Sequence, residues 1–376
     1  MGLLLVLAAV AWVVGGREIV GRMALDWARG RLERQLQESR QQLPEIADFE
    51  ALLKKEVKGT NGWEHIEAGC KATMEIELRN RSDQESVFST TWHGGLADAW
   101  DAERDSKETG GLGRIRPARM SFVLSETVPL AEHARQASLC GCIVDTETYS
   151  NFVASRESGK NKYLTMVPLD KFVGVLITRA HLLARTGNQA KADEEIRVLV
   201  TLASKLNVRH SKQRATGNIG LRNDVLEHGV VPFLRLGTLS ATTRDMLLAT
   251  RWQTPGKDPQ LWLNNVACAY DYLHCGLTNK ADDFFWIDRD SPFVEARFVL
   301  AHADWMDVAT KNAQAAKRGE LDLRDKDWVK NYNAQFESPF ALVNGVVPCG
   351  RETMSRLVAE VEREDKLWAE IEALAK

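Results

Sequence analysis

Two thiols, Cys140 and Cys142, stand one residue apart and follow His133, which makes them the first candidates for metal binding or redox chemistry. Zinc sites usually separate paired cysteines by two to four residues and complete a set of four ligands. One intervening residue is too close for that geometry. The spacing therefore favours a pair of thiols at a helix end over a metal or redox centre.

A second group, formed by Cys268, His274 and Cys275, falls within one stretch that has the pattern of a helix. At about 100° per residue the two cysteines share a face, but the histidine is turned away from them. We therefore expect no metal at either group, and the sequence predicts no cofactor.

Acidic side chains surround the aromatic run 284–286 and could hold a hard cation. Aspartate is also a common capping residue, and a helix signal begins at Pro292, so a solvated capping loop is the favoured interpretation. A second acidic run, 101–105, lacks the glycine and the terminal glutamate of a calcium loop. The aspartates of the first group are Asp282, Asp283, Asp288 and Asp290.

The glycine-rich run 110–113 is followed by arginines and could approach a phosphate. It lacks the Lys-Ser/Thr ending of a P-loop, and no clear helix follows it. The chain contains no G-x-S-x-G, H-E-x-x-H or S-x-x-K signature, which favours a protein without catalysis. The rival hypothesis is a hydrolase or sugar-binding protein that sets Asp101 or Asp283 beside Trp100 or Trp286.

The composition is that of an ordinary globular protein, with 376 residues of which 44% are hydrophobic and 27% charged. A formal net charge of −3 supplies no electrostatic footprint for nucleic acid, so we expect no nucleic-acid partner. The six cysteines are spread along the chain and leave its redox compartment open. The eleven tryptophans favour core packing, with a binding groove as the alternative.

The segment Lys171–Lys205 has the clearest helical periodicity in the chain. Apolar residues repeat every three or four positions on both sides of the break at residues 186–188. Gly187 suits the left-handed conformation that closes a helix. The segment is therefore predicted to form two antiparallel helices, with Leu183 and Ile196 facing each other in the core.

This hairpin resembles a tetratricopeptide repeat in its large, small and turn positions, although Arg179 stands where that family usually has leucine. Polar residues 210–220 break the period, so the resemblance implies one repeat-like hairpin rather than a regular array. Hairpins of this family offer grooves for peptides, which implies a protein partner. The matching residues are Leu176, Ala180, Leu183, Gly187, Ala192 and Ile196.

Residues 1–16 contain an uncharged apolar run, for which three interpretations compete: a transmembrane anchor, either as it stands or truncated upstream, a signal peptide, or a buried core helix. A full membrane span needs about 20 apolar residues. The anchor is favoured because Arg17 follows at once and Trp12 suits a membrane interface. We therefore predict a single-pass membrane protein that contacts lipid through residues 1–16.

Residues 17–43 are predicted to continue as an arginine-rich juxtamembrane helix. Arginine excess sets orientation only when both flanks are known, so the orientation stays open. The order of apolar start, arginine-rich helix, repeat-like hairpin and late Ser-Pro-Phe helix also resembles a loose group of bacterial membrane-anchored helical proteins. That resemblance implies a cell-envelope location. The apolar residues of this helix, about one turn apart, are Ile19, Met23, Trp27, Leu32 and Leu36.

Residues 44–376 are predicted to form a mostly α-helical domain of antiparallel hairpins. Proline start signals predict helices that open at Pro259, Pro292 and Pro339. Alternating apolar residues near 72–92 predict a small β-hairpin, although part of that stretch also fits a helix. Glycines interrupt the periodicity over 93–119, which predicts an irregular connection.

The sequence therefore predicts a protein-interaction or scaffold module without catalysis. An apolar groove beside the 171–205 hairpin would bind the partner, with aromatic side chains as anchors. The predicted partner-binding residues are Phe172, Leu176, Arg179, Trp262 and Trp286.

Overall fold

The computed structural model describes residues 2–80, 117–146, 166–207, 214–250, 259–278, 292–321, 327, 330 and 349–375. Helices make up most of these residues, which confirms the predicted mostly α-helical class. The helices are α1 Gly2–Gln42, α2 Phe49–Glu56, α3 Trp63–Asn80, α4 Pro117–Glu126, α5 Val128–Leu139, α6 Met166–Arg185, α7 Gln189–Lys205, α8 Arg214–Asp224, α9 Val231–Arg235, α10 Ala241–Ala249, α11 Pro259–Thr278, α12 Pro292–Lys317 and α13 Cys349–Ala375.

Shorter elements connect these helices. A 3₁₀ turn, Pro44–Ala47, follows α1, and a π-helical turn, Val225–Val230, joins α8 to α9. Two short strands, β1 Ile143–Val144 and β2 Leu206–Asn207, pair in parallel.

The described residues fall into two compact units. The first unit holds α1, α11, α12 and the 3₁₀ turn. The second unit holds α3 to α10, both strands and the part of α13 that starts at Leu357. The predicted boundary between residues 16 and 17 falls inside the continuous helix α1.

In the first unit, α1 and α12 are parallel helices that pack along their length. Gly21 lies against Pro292 and Phe293 at the start of α12. Further along both helices, the Thr310 hydroxyl donates a 2.9 Å hydrogen bond to the Ser39 hydroxyl, and both residues are buried. Because the contacting residue numbers increase together along both helices, the two helices run in the same direction.

The contact between α1 and α12 is made by apolar residues at steps of three or four, the spacing of helices packed side by side. Small side chains such as Ala28 and Ala303 let the helices approach closely. Ion pairs border this contact, including Arg29 with Glu295 at 2.7 Å. The buried apolar residues of α1 include Gly21, Leu25, Ala28, Leu32 and Leu36, and those of α12 include Ala296, Val299, Ala303, Met306 and Ala313.

The prediction of a single-pass membrane protein is wrong. Among the described residues, which include all of α1, no helix is both long and apolar enough to cross a membrane. The reason is the length of the apolar run, which ends at Arg17, short of the roughly 20 residues that a span requires. The lipid contact through residues 1–16 and the envelope location rested on the same span.

In the second unit, α6 and α7 pack against each other across a three-residue connection. Gly187 takes φ +80°, and its N–H donates to the Ala184 carbonyl at 3.1 Å. The Asn188 N–H donates to the Leu183 carbonyl at 2.8 Å, which completes a Schellman cap. The predicted helix–turn–helix is therefore present, while its repeat-like character stays a prediction.

The β1–β2 pair is extended by an amide side chain. Ile143 pairs with Leu206, and Val144 pairs with Asn207. On the other side of β1, the Asn61 amide donates to the Val144 carbonyl at 2.7 Å and accepts from the Val144 N–H at 3.0 Å. Asn61 thus replaces a strand partner and ties the start of α3 to β1.

The β-hairpin predicted near 72–92 is wrong for its first part, because residues 72–80 belong to α3. The buried positions Ile66, Cys70, Thr73 and Ile76 follow the helical period instead of alternating. Residues 81–92 lie outside the described part of the chain, as do residues 93–116 of the predicted irregular connection. Residues 117–119 of that connection are helical.

Two of the three predicted proline starts are confirmed, since α11 begins at Pro259 and α12 begins at Pro292. The third, at Pro339, lies outside the described residues. The last helix, α13, buries Leu357, Val361 and Trp368.

Candidate functional site

The structure places four of the five predicted partner-binding residues inside the protein. Phe172 and Leu176 belong to the core of the second unit, and Arg179 is buried beside them on α6. Trp262 is buried on α11 in the first unit. A partner could reach these side chains only if the core rearranged. Trp286 lies outside the described residues.

Arg179 binds three groups of its own unit. Its Nε donates to Glu195 of α7 at 2.7 Å, and its Nη1 donates to the Thr127 hydroxyl at 2.9 Å and to the Leu124 carbonyl at the end of α4. Burial raises the pKa of Glu195, and the neighbouring guanidinium opposes that rise. Through these bonds Arg179 joins α4, α6 and α7.

The candidate metal residues do not assemble into a site within the part of the chain that the structure describes. No group of three or more histidine, cysteine or acidic residues there could hold a metal ion. Cys140 and Cys142 are buried at the end of α5, where their thiols lie near backbone carbonyls. His133 lies beside His65, with the ring centroids 6.5 Å apart. The acidic groups near 101–105 and 282–290 and the glycine run 110–113 fall outside the described residues.

Charged side chains also join α13 to α8 and the π-helical turn. Arg222 donates to Glu364 at 2.7 Å. Arg363 donates to Glu227 at 2.7 Å and to Asp224 at 3.0 Å. Burial raises the pKa of Asp224, whereas Arg363 opposes that rise. Each charge in this cluster has an opposite partner, so the cluster fixes α13 in place.

Two further groups of the second unit have displaced pKa values. Desolvation by the surrounding protein, followed by repulsion from Asp224, raises the pKa of Asp170 to about 6. Burial, reinforced by the carboxylates of Asp170 and Glu67, raises the pKa of the Cys70 thiol. Cys70 is therefore a neutral, fully buried thiol, which makes it a poor nucleophile.

A small cavity lies between α3, α6, α7 and the turn after α8. Apolar side chains line it, among them Ile66, Phe172, Leu202 and Val225. Ligand sites combine an apolar wall with a few polar groups that orient the ligand. Since the lining of this cavity is entirely apolar, it is a packing defect of the core rather than a ligand site.

Among the side chains of the first unit that the structure describes, five large apolar ones are exposed, four on α1 and one, Val294, on α12. Ile19 is 63% exposed, Val20 55%, Met23 66% and Trp27 57%. Isolated apolar residues on a surface are ordinary, but a continuous group of four indicates an interaction surface. We call these four residues, together with Gly16 and Gly30, the α1 stripe.

The α1 stripe and the α12 contact occupy opposite sides of α1. At about 100° per residue, Ile19, Val20 and Trp27 lie within roughly 60° of Met23 around the helix. The buried residues that face α12, such as Leu25 and Leu32, lie about 160–180° from Met23. The helix therefore has two apolar faces. One is buried against α12, and the other is exposed.

The sequence pattern included three residues of the α1 stripe in one series with Leu32 and Leu36, spaced about one turn apart, and did not separate two faces. A step of four residues advances about 400°, so each such step turns the face by roughly 40°. Ile19 and Leu32 are separated by two steps of four residues and one of five, which leaves them roughly 140° apart around the helix. The separate three-and-four spacing of Leu25, Ala28 and Leu32 was the signal that could have identified the buried face.

Comparisons with known protein families, with curated proteins and with solved structures found no significant match. The resemblance of the 171–205 hairpin to a tetratricopeptide repeat therefore stays a prediction.

Proposed function

We propose that this chain is a protein-interaction module without catalysis, and that the α1 stripe is its binding surface. The observation that carries the proposal is the exposure of Ile19, Val20, Met23 and Trp27 side by side on one helix. Apolar surface gains about 25 cal/mol for each Å² that a partner removes from water. Tryptophan is among the residues that contribute most when an interface buries them, so Trp27 is the expected anchor.

The packing of the first unit supports this proposal because it fixes the stripe before a partner arrives. α12 covers the opposite side of α1, and the buried hydrogen bond between Thr310 and Ser39 sets the register of the two helices. A binding helix that is already held in shape loses less conformational entropy on association. The stripe therefore has both the apolar area and the rigidity of a binding surface.

Site-specific photo-cross-linking in cells tests the proposal. A photoreactive amino acid at Met23 of the full chain is expected to give a discrete covalent adduct with a protein, and the added substitution Trp27→Asp is expected to abolish it. The matched control carries the same amino acid at Leu236, an apolar residue of the second unit that is 73% exposed. Equal labelling from positions 23 and 236, or no adduct from either, would contradict the proposal.

A further inference from the structure

We propose that the partner of the α1 stripe is a second copy of this chain, bound with the two α1 helices antiparallel and crossing at Met23. This inference rests on the proposed function, because it specifies which protein the stripe binds. A two-fold dimer uses the same patch on both copies, so the patch must be complementary to itself. The stripe meets that condition in its spacing and in its bordering charges.

The spacing of the stripe is the same in both directions along the helix. Gly16, Ile19, Met23, Trp27 and Gly30 follow one another at intervals of three, four, four and three residues. In an antiparallel pair centred on Met23, Ile19 stands opposite Trp27 of the second copy, and Gly16 stands opposite Gly30. Large side chains thus meet at the centre, and glycines meet at both ends.

The two glycines leave space at the ends of the stripe. A Cβ built on Gly16 has no heavy atom of the described residues within 4 Å. A Cβ built on Gly30 has the Arg34 guanidinium as its nearest neighbour, at 3.9 Å. Two helices approach closely where neither carries a side chain. The outward faces of Gly16 and Gly30 therefore admit the backbone or a large side chain of another helix.

The charges beside the stripe are also complementary in an antiparallel pair centred on Met23. Arg22 and Asp26 lie on the same side of Met23, about 100° and 60° around the helix. Both are exposed. Arg22 donates a 2.6 Å hydrogen bond to Glu18 of its own helix, but the two side chains are 71% and 55% exposed, so solvent weakens this pair. In the antiparallel pair, Arg22 of each copy comes near Asp26 of the other, which gives two symmetric ion pairs at the border of the interface.

Sedimentation of the full chain over a range of concentrations tests the dimer itself. The unmodified chain is expected to show a concentration-dependent dimer. Met23→Asp is expected to weaken the dimer by roughly tenfold or more, as for a central interface residue. Leu236→Asp, which places the same charge on another exposed apolar residue, is expected to leave the dimer unchanged.

Charge reversal tests the orientation. Asp26→Arg alone sets two arginines against each other across the interface and is expected to weaken the dimer. Addition of Arg22→Asp to the same chain restores opposite charges and is expected to recover the dimer. Failure of the double variant to recover would overturn the antiparallel arrangement, provided that circular dichroism shows both variants folded.

Cysteine cross-linking gives an independent test of direction. Met23→Cys is expected to form a disulfide-linked dimer on mild oxidation. When Ile19→Cys and Trp27→Cys chains are mixed, an antiparallel pair gives a mixed dimer, whereas a parallel pair links each variant to itself. The unmodified chain is the control, since the five cysteines whose side chains the structure describes are buried.

The outcomes separate this inference from the proposed function. A chain that stays monomeric but gives an adduct at Met23 with a different protein overturns the second-copy inference and supports the interaction module. A chain that is monomeric and binds only phospholipid vesicles through Met23 overturns both. A dimer that is unaffected by Met23→Asp overturns the assignment of the α1 stripe as its interface.

Discussion

The guanidinium of Arg179 lies 2.7 Å from the carboxylate of Glu195, from Nε to Oε1, and joins α6 to α7 through a largely buried ion pair. The same guanidinium also binds the Thr127 hydroxyl and the Leu124 carbonyl, so it links the hairpin to the α4–α5 corner. Removing one partner of a buried ion pair leaves an uncompensated charge in the interior. The packing of α6 against α7 thus depends on a polar contact as well as on apolar side chains.

Arg179→Met is expected to lower the free energy of unfolding by about 3–5 kcal/mol, because Glu195 would lose its buried partner. Urea titration followed by circular dichroism measures the change. The double variant Arg179→Met with Glu195→Met is expected to be more stable than the sum of the two single changes predicts, since both charges are then gone. Strictly additive effects would contradict a direct coupling between the two side chains.

Two glycines with opposite surroundings give a second prediction. A Cβ on Gly69 of α3 would lie 2.6 Å from the buried ring of Phe172, so Gly69→Ala is expected to destabilise the protein by about 1–3 kcal/mol. Gly174 of α6 is the matched control, because no described residue has a heavy atom within 4 Å of the point where an alanine methyl would lie. Gly174→Ala is expected to stabilise the protein by roughly 0.5–1 kcal/mol through helix propensity. Thermal unfolding of both variants checks the difference in sign.

Local signals predicted much of the helical framework. Pro259 and Pro292 mark true helix starts because proline fits the first helical turn, where its missing N–H has no role. Gly187 marks a true helix end because its φ of +80° is costly for other residues. These features depend only on residues within one turn, so the sequence contains them directly.

Contacts between distant residues set the features that the sequence did not predict. The alternation of Ala72, Met74, Ile76 and Leu78 indicated a strand, but Ile76 is buried with the helical face of α3 while Met74 is 44% exposed. Which face of α1 remains open depends on α12, whose first residue is more than 250 positions further along the chain. The spacing of Leu25, Ala28 and Leu32 marks a second apolar face on α1, but a single sequence does not show which of the two faces a distant helix covers.

Burial at Ile196 gives a third prediction. This residue of α7 is fully buried in the core of the second unit, so Ile196→Asp is expected to cost more than about 4 kcal/mol through an unpaired buried carboxylate. Lys191→Asp places the same side chain on an exposed position of the same helix and is expected to change stability by at most about 0.5 kcal/mol. An unchanged melting temperature for Ile196→Asp would show that α7 packs in another rotation.

His181 and His228 give the last prediction, which concerns pH. Pro232 has no N–H, so the His228 carbonyl lacks the donor that an α-helix would supply four residues later. His181 donates a hydrogen bond from Nε2–H to that carbonyl, with Nε2 2.8 Å from the oxygen. The imidazole ring packs on the ring of Phe233 at a centroid distance of 4.6 Å. Burial lowers the pKa of His181 to about 4, so the folded protein holds a neutral imidazole at pH 7.

The sign of the pH effect follows from this pKa. In the unfolded chain His181 binds a proton below about pH 6.5, whereas in the folded protein it does so only near pH 4. Stability from the neutral ring is therefore complete above about pH 6.5 and declines on acidification by roughly 1.4 kcal/mol per pH unit until about pH 4. The raised pKa of Asp170 acts in the opposite direction over part of this window, which makes a comparison of two chains necessary.

His181→Gln supplies that comparison, because glutamine can donate a hydrogen bond to the same carbonyl but does not titrate. The free energy of unfolding of both chains, measured by urea titration at pH 7, 6, 5 and 4.5, gives a difference in which the contribution of Asp170 cancels. The unmodified chain is expected to lose stability relative to the variant steadily below pH 6.5. A difference that stays constant across the four pH values would mean that His181 titrates alike in the folded and unfolded chains, and that its ring is not held neutral by burial.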